Sequence, residues 1–229
     1  MLRQLLCIPS PLARSSPAQS PIPLGSLVKP FTALAYGEKH EFRYPVHTCR
    51  GTASGCWLPR GHNQIGLQGA IAVSCNSYFR MLTTDMSASD LLPVARSFRL
   101  QAPNANASES DLIGVGTRWL ISPLAMARAY AELSRRLEQP GVREILAGMA
   151  QSGRQGTGAD VDRALKHTST LVKTGTAPCT HAKHAPGDGF VIAMLPAEHP
   201  DILLMVRVHG IPGARAAGIA GEMLRRVVE

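Results

Sequence analysis

The chain has 229 residues, enough to bury one substantial core or two small ones, and 45% hydrophobic against 17% charged residues excludes a globally disordered protein. Its net charge of +8 favours anionic partners, but the basic residues fall in scattered pairs such as Arg135-Arg136 and Arg225-Arg226, without the dense, aromatic-interleaved block that would point to nucleic acid. No apolar run reaches the ~18 residues of a membrane-spanning helix.

Residues 1–22 are rich in Pro and Ser without apolar periodicity and read as a disordered or loosely attached lead, leaving 23–229 as one domain. Cys7 follows Leu5-Leu6, a faint echo of a lipoprotein signal, yet the apolar stretch is shorter than the ~7–15 residues required and the preceding residue is not small. From Ser26 a helical stripe begins with Leu27, Phe31 and Leu34, flanked by Val28 and Ala35. Pro30 fits only near the first turn, which places Ser26 at the helix start.

Residues 37–63 read as a loop. It holds Cys49 and Cys56, two of the chain's 5 cysteines. A disulfide between them would imply an oxidising compartment; spacing alone leaves that pairing and two free thiols equally open.

A helix is expected over Leu67–Val73, broken at Ser74-Cys75-Asn76 and resumed through Tyr78, Phe79 and Leu82. Ser87 to Asp90 forms a capping box for another. The Asn/Ser-rich run 103–110 reads as loop, and Ser122-Pro123 as a helix start. A further helix spans Val142 to Gly153. The period then turns extended in Thr170–Thr176, Gly189–Leu195 and Asp201–Val208, with connections suited to antiparallel hairpins. The last helix, Ala214–Val227, carries Ile219, Met223 and Val227 on one face. Helices followed by an antiparallel sheet and a covering helix make the fold class α+β.

Three short motifs carry the chemistry. Ser26 and Lys29 lie three apart at a helix start, where a neutral lysine would accept the serine proton and activate it as a nucleophile. Ser74 and Asn76 sit in a helix break from which both side chains can turn into one cleft. Lys173-Thr174-Gly175-Thr176 ends the first strand: Lys173 supplies a cation, Thr174 and Thr176 hydroxyls suited to a carboxylate, and Gly175 would let a substrate backbone approach. Cys179, His181 and His184 lack a fourth metal ligand, so no metal and no cofactor are expected. Gly114-Val115-Gly116 lacks the third glycine of a dinucleotide fingerprint.

Ser-x-x-Lys, Ser-x-Asn and Lys-Thr-Gly, in this order and on these elements, resemble the motif set of penicillin-binding protein transpeptidase domains. The stretches Gly25 to Leu34, Cys56-Trp57 with Gly61-His62, Ala70 to Phe79, and Ser122 to Ala127 are similar to the monofunctional class B members. The resemblance covers residues 23–229. It implies a serine D,D-transpeptidase acting on D-Ala-D-Ala stem peptides of peptidoglycan, inhibited covalently by β-lactams, at the extracytoplasmic face of the cell envelope, alongside other cell-wall synthesis proteins. Ser26 would be the nucleophile, Lys29 its base, Ser74 a proton relay, and Asn76 the holder of the acyl-chain amide. Lys173, Thr174 and Thr176 would dock the terminal carboxylate, and the backbone amides of Ser26 and Thr176 would form the oxyanion hole. The charge of Lys173 is expected to lower the pKa of Lys29. The same cleft would also suit a D,D-carboxypeptidase, a β-lactamase, or a non-catalytic sensor of peptidoglycan or β-lactams. Family members open with two strands before the nucleophile helix; residues 1–22 are expected to contain none, leaving a three-stranded sheet.

Overall fold

The computed structural model describes residues 3–6, 18–178 and 187–228. In chain order these form strands β1 (Arg3–Leu6) and β2 (Ile22–Pro23), helix α1 (Lys29–Lys39), strands β3 (His47–Cys49) and β4 (Asn63–Ile65), and helices α2 (Leu67–Ala72), α3 (Asn76–Thr83), α4 (Leu92–Ser97) and α5 (Glu109–Leu112). After β5 (Leu120–Ile121) come α6 (Pro123–Leu133), α7 (Val142–Gln155) and α8 (Ala159–Ala164), then β6 (Leu171–Ala177), β7 (Asp188–Leu195), β8 (Ile202–Val208) and α9 (Gly213–Val228). The α+β reading holds.

β6, β7 and β8 are antiparallel, with Gly175 beside Phe190 and Ile192 beside Met205. Both faces of this sheet are covered, so its strands read as continuous apolar runs. Phe190, Ile192, Met194, Leu203 and Met205 face the helical lobe, whereas Val191, Ala193, Leu195, Leu204 and Val206 face α8 and α9. The two-residue period of a strand divides one sequence between two cores.

Residues 1–22 were expected to hold no strand, and the structure corrects this. β1 pairs parallel with β8, from Arg3 beside Ile202 to Leu6 beside Met205, so the sheet has four strands in the order β1-β8-β7-β6. β2 pairs with β5, and Ile22 is buried in the core. Strands this short show no readable alternation; β1 is defined by the edge of β8, whose backbone donors and acceptors it satisfies.

Helix α1 buries Phe31 and Leu34 as its periodicity requires. Phe31 packs edge-on against Phe98 and Tyr130, with ring centroids 5.2 and 5.4 Å away. The Ser87/Asp90 capping box forms, followed by a 3-10 turn and α4. Within the stretch read as loop, a second box of Ser108 and Asp111 opens the short helix α5, and α8 is likewise additional to the sequence reading.

Helix α9 turns a different face inward from the one expected. Ala216, Ala217, Ala220 and Leu224 are buried and Met223 packs against them, while Ile219 and Val227 are 42% and 53% exposed. The reason is close packing: a Cβ on Gly221 would lie 2.8 Å from the Ala164 Cβ and 2.9 Å from the Asp160 carbonyl oxygen, so no larger residue fits where α9 crosses α8 at Gly221. Ala217→Leu is therefore expected to lower unfolding free energy by about 1–3 kcal/mol through overpacking. Ile219→Ser should shift it by less than about 0.5 kcal/mol. Urea denaturation of the two variants checks the assignment, and the reverse ranking would refute it.

Candidate active site

The three motifs converge on one cleft of about 470 Å³, lined by Ser26, Trp57, Ser74, Asn76, Val115, Thr157, Thr174, Gly175 and Thr176 among others. Ser26 lies in a 3-10 turn, Gly25–Val28, that leads directly into α1 at Lys29. Tyr130 fixes this turn from below, its hydroxyl donating to the Leu27 carbonyl at 2.8 Å.

Gly25 has φ +59°, and a Cβ there would lie 2.4 Å from the Thr176 carbonyl oxygen. A Cβ on Gly175 would lie 2.6 Å from the Leu24 carbonyl oxygen. Glycine at both positions lets the serine turn and strand β6 touch backbone to backbone. Gly175 was expected to admit a substrate; it lines the cleft, and its Cβ side is taken up by the turn that carries Ser26.

The Ser74 loop arises because α2 stops at Ala72 and α3 begins at Asn76. Cys75 caps α3, its sulfur accepting from the Tyr78 amide at 3.5 Å, and Ser74 takes a left-handed φ of +54°. That backbone geometry turns Ser74 and Asn76 to the same side despite their i, i+2 spacing.

Beneath the cleft lie two fully buried lysines. Lys29 Nζ donates to the Ser74 carbonyl at 2.9 Å, to Ser74 Oγ at 3.4 Å and to Asn76 Oδ1 at 2.6 Å. Lys173 Nζ donates to Ser74 Oγ at 2.9 Å and to the Thr174 carbonyl at 2.7 Å. One serine hydroxyl thus accepts from both amines, which uses its two lone pairs and leaves its own proton to point elsewhere.

Burial pushes Lys29 down from its usual value to about 7, against a smaller upward pull from Cys75 and Cys56. Lys173 is lowered well below the usual lysine range, by burial first and by the charge of Lys29 second. The expected cause of the Lys29 shift therefore needs correction: desolvation dominates it, and the repulsion is seen in Lys173. Because Lys173 has no exposed surface, the part of its motif that reaches the cleft wall is Thr174, Gly175 and Thr176.

Sequence reasoning missed Thr157 and Trp57. Thr157 Oγ1 lies 2.6 Å from Thr174 Oγ1, and the Trp57 indole donates to the Val73 carbonyl at 3.2 Å, leaving its ring half exposed at the rim. Val115, passed over with its glycines as a failed dinucleotide fingerprint, lines the cleft as well.

The disulfide between Cys49 and Cys56 is not made. Both thiols are free and buried, turned instead toward His62 and Cys75. The cluster Cys179, His181 and His184 lies outside the described residues. Among the described residues, no helix is long and apolar enough to cross a membrane.

No curated protein matches the sequence. Solved structures do. The Pseudomonas aeruginosa PBP2 complex with WCK 5153 superposes with a TM-score of 0.74 at 19% identity, over 91% of this chain and 59% of that one. PBP2 from Helicobacter pylori gives 0.74 at 19%, over 90% and 49%. Penicillin-binding protein A from Mycobacterium tuberculosis, solved as a ceftriaxone acyl-enzyme, gives 0.71 at 20%, over 92% and 61%. The chain thus spans about half to three fifths of the length of these three structures. The model of the penicillin binding protein transpeptidase domain matches residues 11–229, nearly the whole sequence, and with this fold and motif order the chain belongs to that family.

Proposed function

We propose that the chain is a peptidoglycan D,D-transpeptidase domain working through an acyl-enzyme on Ser26. The observation that carries this reading is the pair of buried amines, Lys29 and Lys173, meeting on Ser74 Oγ under a cleft that Ser26 also lines. Ser26 Oγ attacks the carbonyl of the penultimate D-Ala of a stem peptide. Its proton passes to the neutral amine of Lys29, and Ser74 delivers a proton to the departing D-Ala amine as the C–N bond breaks. An acceptor amine then attacks the ester, forming the cross-link and returning the proton to Ser26.

Developing negative charge on the carbonyl oxygen falls to the backbone amides of Ser26 and Thr176, each such donor being worth roughly 3 kcal/mol of barrier. Thr174 and Thr176 bind the terminal carboxylate with the Lys173 amine behind them, and Asn76 holds the acyl-chain amide. The site of action is the extracytoplasmic face of the envelope. The Helicobacter pylori PBP2 has been solved in complex with MreC, which supports cell-wall synthesis proteins as partners here.

The test is intact mass after exposure to benzylpenicillin. One adduct per chain, mapped by peptide analysis to Ser26 and slow to hydrolyse, is the expected result. Folded protein without an adduct would overturn the proposal. Rapid release of penicilloate would identify a β-lactamase instead.

A further inference from the structure

We infer that Cys49, Cys56, His62 and Cys75 form a tetrahedral zinc site that fixes the Ser74–Asn76 loop from behind. The four side chains come from three places in the chain: the end of β3, the loop before β4, and the break between α2 and α3. Their ligand atoms nonetheless all lie within 4.8 Å of one another. Cys49, Cys56 and Cys75 are buried, and His62 is half-buried.

The distances fit a shared ion better than a set of thiol hydrogen bonds. A tetrahedral zinc with bonds of about 2.3 Å to sulfur and about 2.05 Å to nitrogen has edges of about 3.8 Å between two sulfurs and about 3.55 Å between sulfur and nitrogen. The Cys56 and Cys75 sulfurs are 3.8 Å apart, and His62 Nδ1 lies 3.6 Å from Cys49 Sγ and 3.5 Å from Cys56 Sγ. A single imidazole nitrogen has one lone pair or one proton and cannot satisfy two thiols at once. An ion at the centre satisfies all four groups.

The surroundings are built for thiolates. Backbone amides of Gly51 and His62 point at Cys49 Sγ, and the Tyr78 amide points at Cys75 Sγ. Such amide contacts orient metal-bound sulfurs. The loop is folded on itself by two glycines in the left-handed region: a Cβ on Gly51 would lie 1.9 Å from the Pro59 carbonyl oxygen, and one on Gly61 would lie 2.2 Å from that of Cys49. Three soft thiolates and one imidazole in a closed tetrahedron select zinc over hard or octahedral ions. Four protein ligands leave no open position, so the ion holds structure. Its binding releases the three thiol protons to solvent and leaves a centre of net charge −1.

Cys75 gives the site its consequence, because its neighbours in sequence are Ser74 and Asn76, the two residues that Lys29 grips. A metal bond to Cys75 anchors that loop to the β3–β4 hairpin. Cys75 is therefore a positioning residue, acting through Ser74 and Asn76.

The experiment uses the full chain carrying Cys7→Ser and Cys179→Ser, which leaves three of its 5 cysteines. The protein is equilibrated with zinc, desalted and measured for bound metal, thiol number and intact mass. One zinc per chain is expected, with cobalt substitution giving the intense near-ultraviolet thiolate band of a tetrahedral centre. Cys56→Ser and His62→Gln should each lose most of the bound metal. Should either variant fail to fold, the parent treated with a strong chelator provides the second reading, a fall of several degrees in its thermal midpoint that zinc restores. Folded parent that retains no zinc with all three thiols titratable would overturn the inference, as would a mass lower by two hydrogens from an internal disulfide. Metal content and penicillin adduct are independent readouts, so a zinc protein that forms no adduct sinks the transpeptidase reading alone, and an acylated protein without metal sinks this one alone.

Discussion

Replacing Ser26 by Ala is expected to abolish the penicillin adduct, and Lys29→Met to slow its formation by about 10²–10⁴-fold, the usual contribution of a general base. The two variants separate nucleophile from base, since the lysine variant keeps the hydroxyl and should still reach full labelling given time. Methionine matches lysine in length and removes a buried charge, while leaving Asn76 Oδ1 and the Ser74 carbonyl without their donor, at a cost of about 1–3 kcal/mol each. A far-ultraviolet spectrum and thermal midpoint of each variant distinguish lost chemistry from lost fold. The parent rate should also follow the ionisation of Lys29. Burial disfavours its ammonium form, so the amine is protonated and idle below about pH 7 and neutral above it. Acylation measured under single-turnover conditions should rise with pH through about 7 and then level. A profile flat across neutrality would remove Lys29 from the role of base.

Gly25→Ala is the second large effect, and it acts through backbone alone. The substitution meets two penalties. An L-residue at φ +59° costs about 1–2 kcal/mol, and the new Cβ would lie 2.4 Å from the Thr176 carbonyl oxygen, where backbone must move. Together with overpacking of about 1–3 kcal/mol, the expected loss of unfolding free energy is about 2–5 kcal/mol. The displaced groups are the serine turn and the strand end that supply the proposed oxyanion donors, so acylation should fall even at temperatures where the variant is folded. Denaturant titration and single-turnover acylation would show both losses; an unchanged acylation rate in folded Gly25→Ala would mean that this contact does not set the oxyanion geometry.

The parts of the molecule legible in sequence are those where one short segment holds the whole signal. Ser26/Lys29, Ser74/Asn76 and Lys173 to Thr176 are such segments, and the structure brings all three to one cleft. The helices with caps and apolar stripes, α1, α4 and α6, were equally readable. What failed depended on neighbours distant in sequence. The inward face of α9 is decided by how closely α8 approaches, and β1 by the free edge of β8. The cysteine quartet escaped because Cys49 and Cys56 suggested each other as partners. His62 looked like part of a Gly-His pair, and Cys75 like a spacer between two functional residues. Only the hairpin β3–β4 and the break after α2 gather them.

The contact between α9 and β6 has a dynamic consequence. The Gly213 amide donates to Thr176 Oγ1 at 3.0 Å, and a Cβ on Gly213 would lie 2.2 Å from the Gly175 carbonyl oxygen. The first turn of the terminal helix is thus fastened to the end of the strand that walls the cleft. In terms of amide exchange, the two behave as one opening unit: β6 cannot lift away without fraying the start of α9. Ligand seated against Thr176 would slow deuterium uptake in Gly213 to Ala217, where Ala214 also lines the cleft, and the start of the helix would serve as a gauge of whether the strand is held.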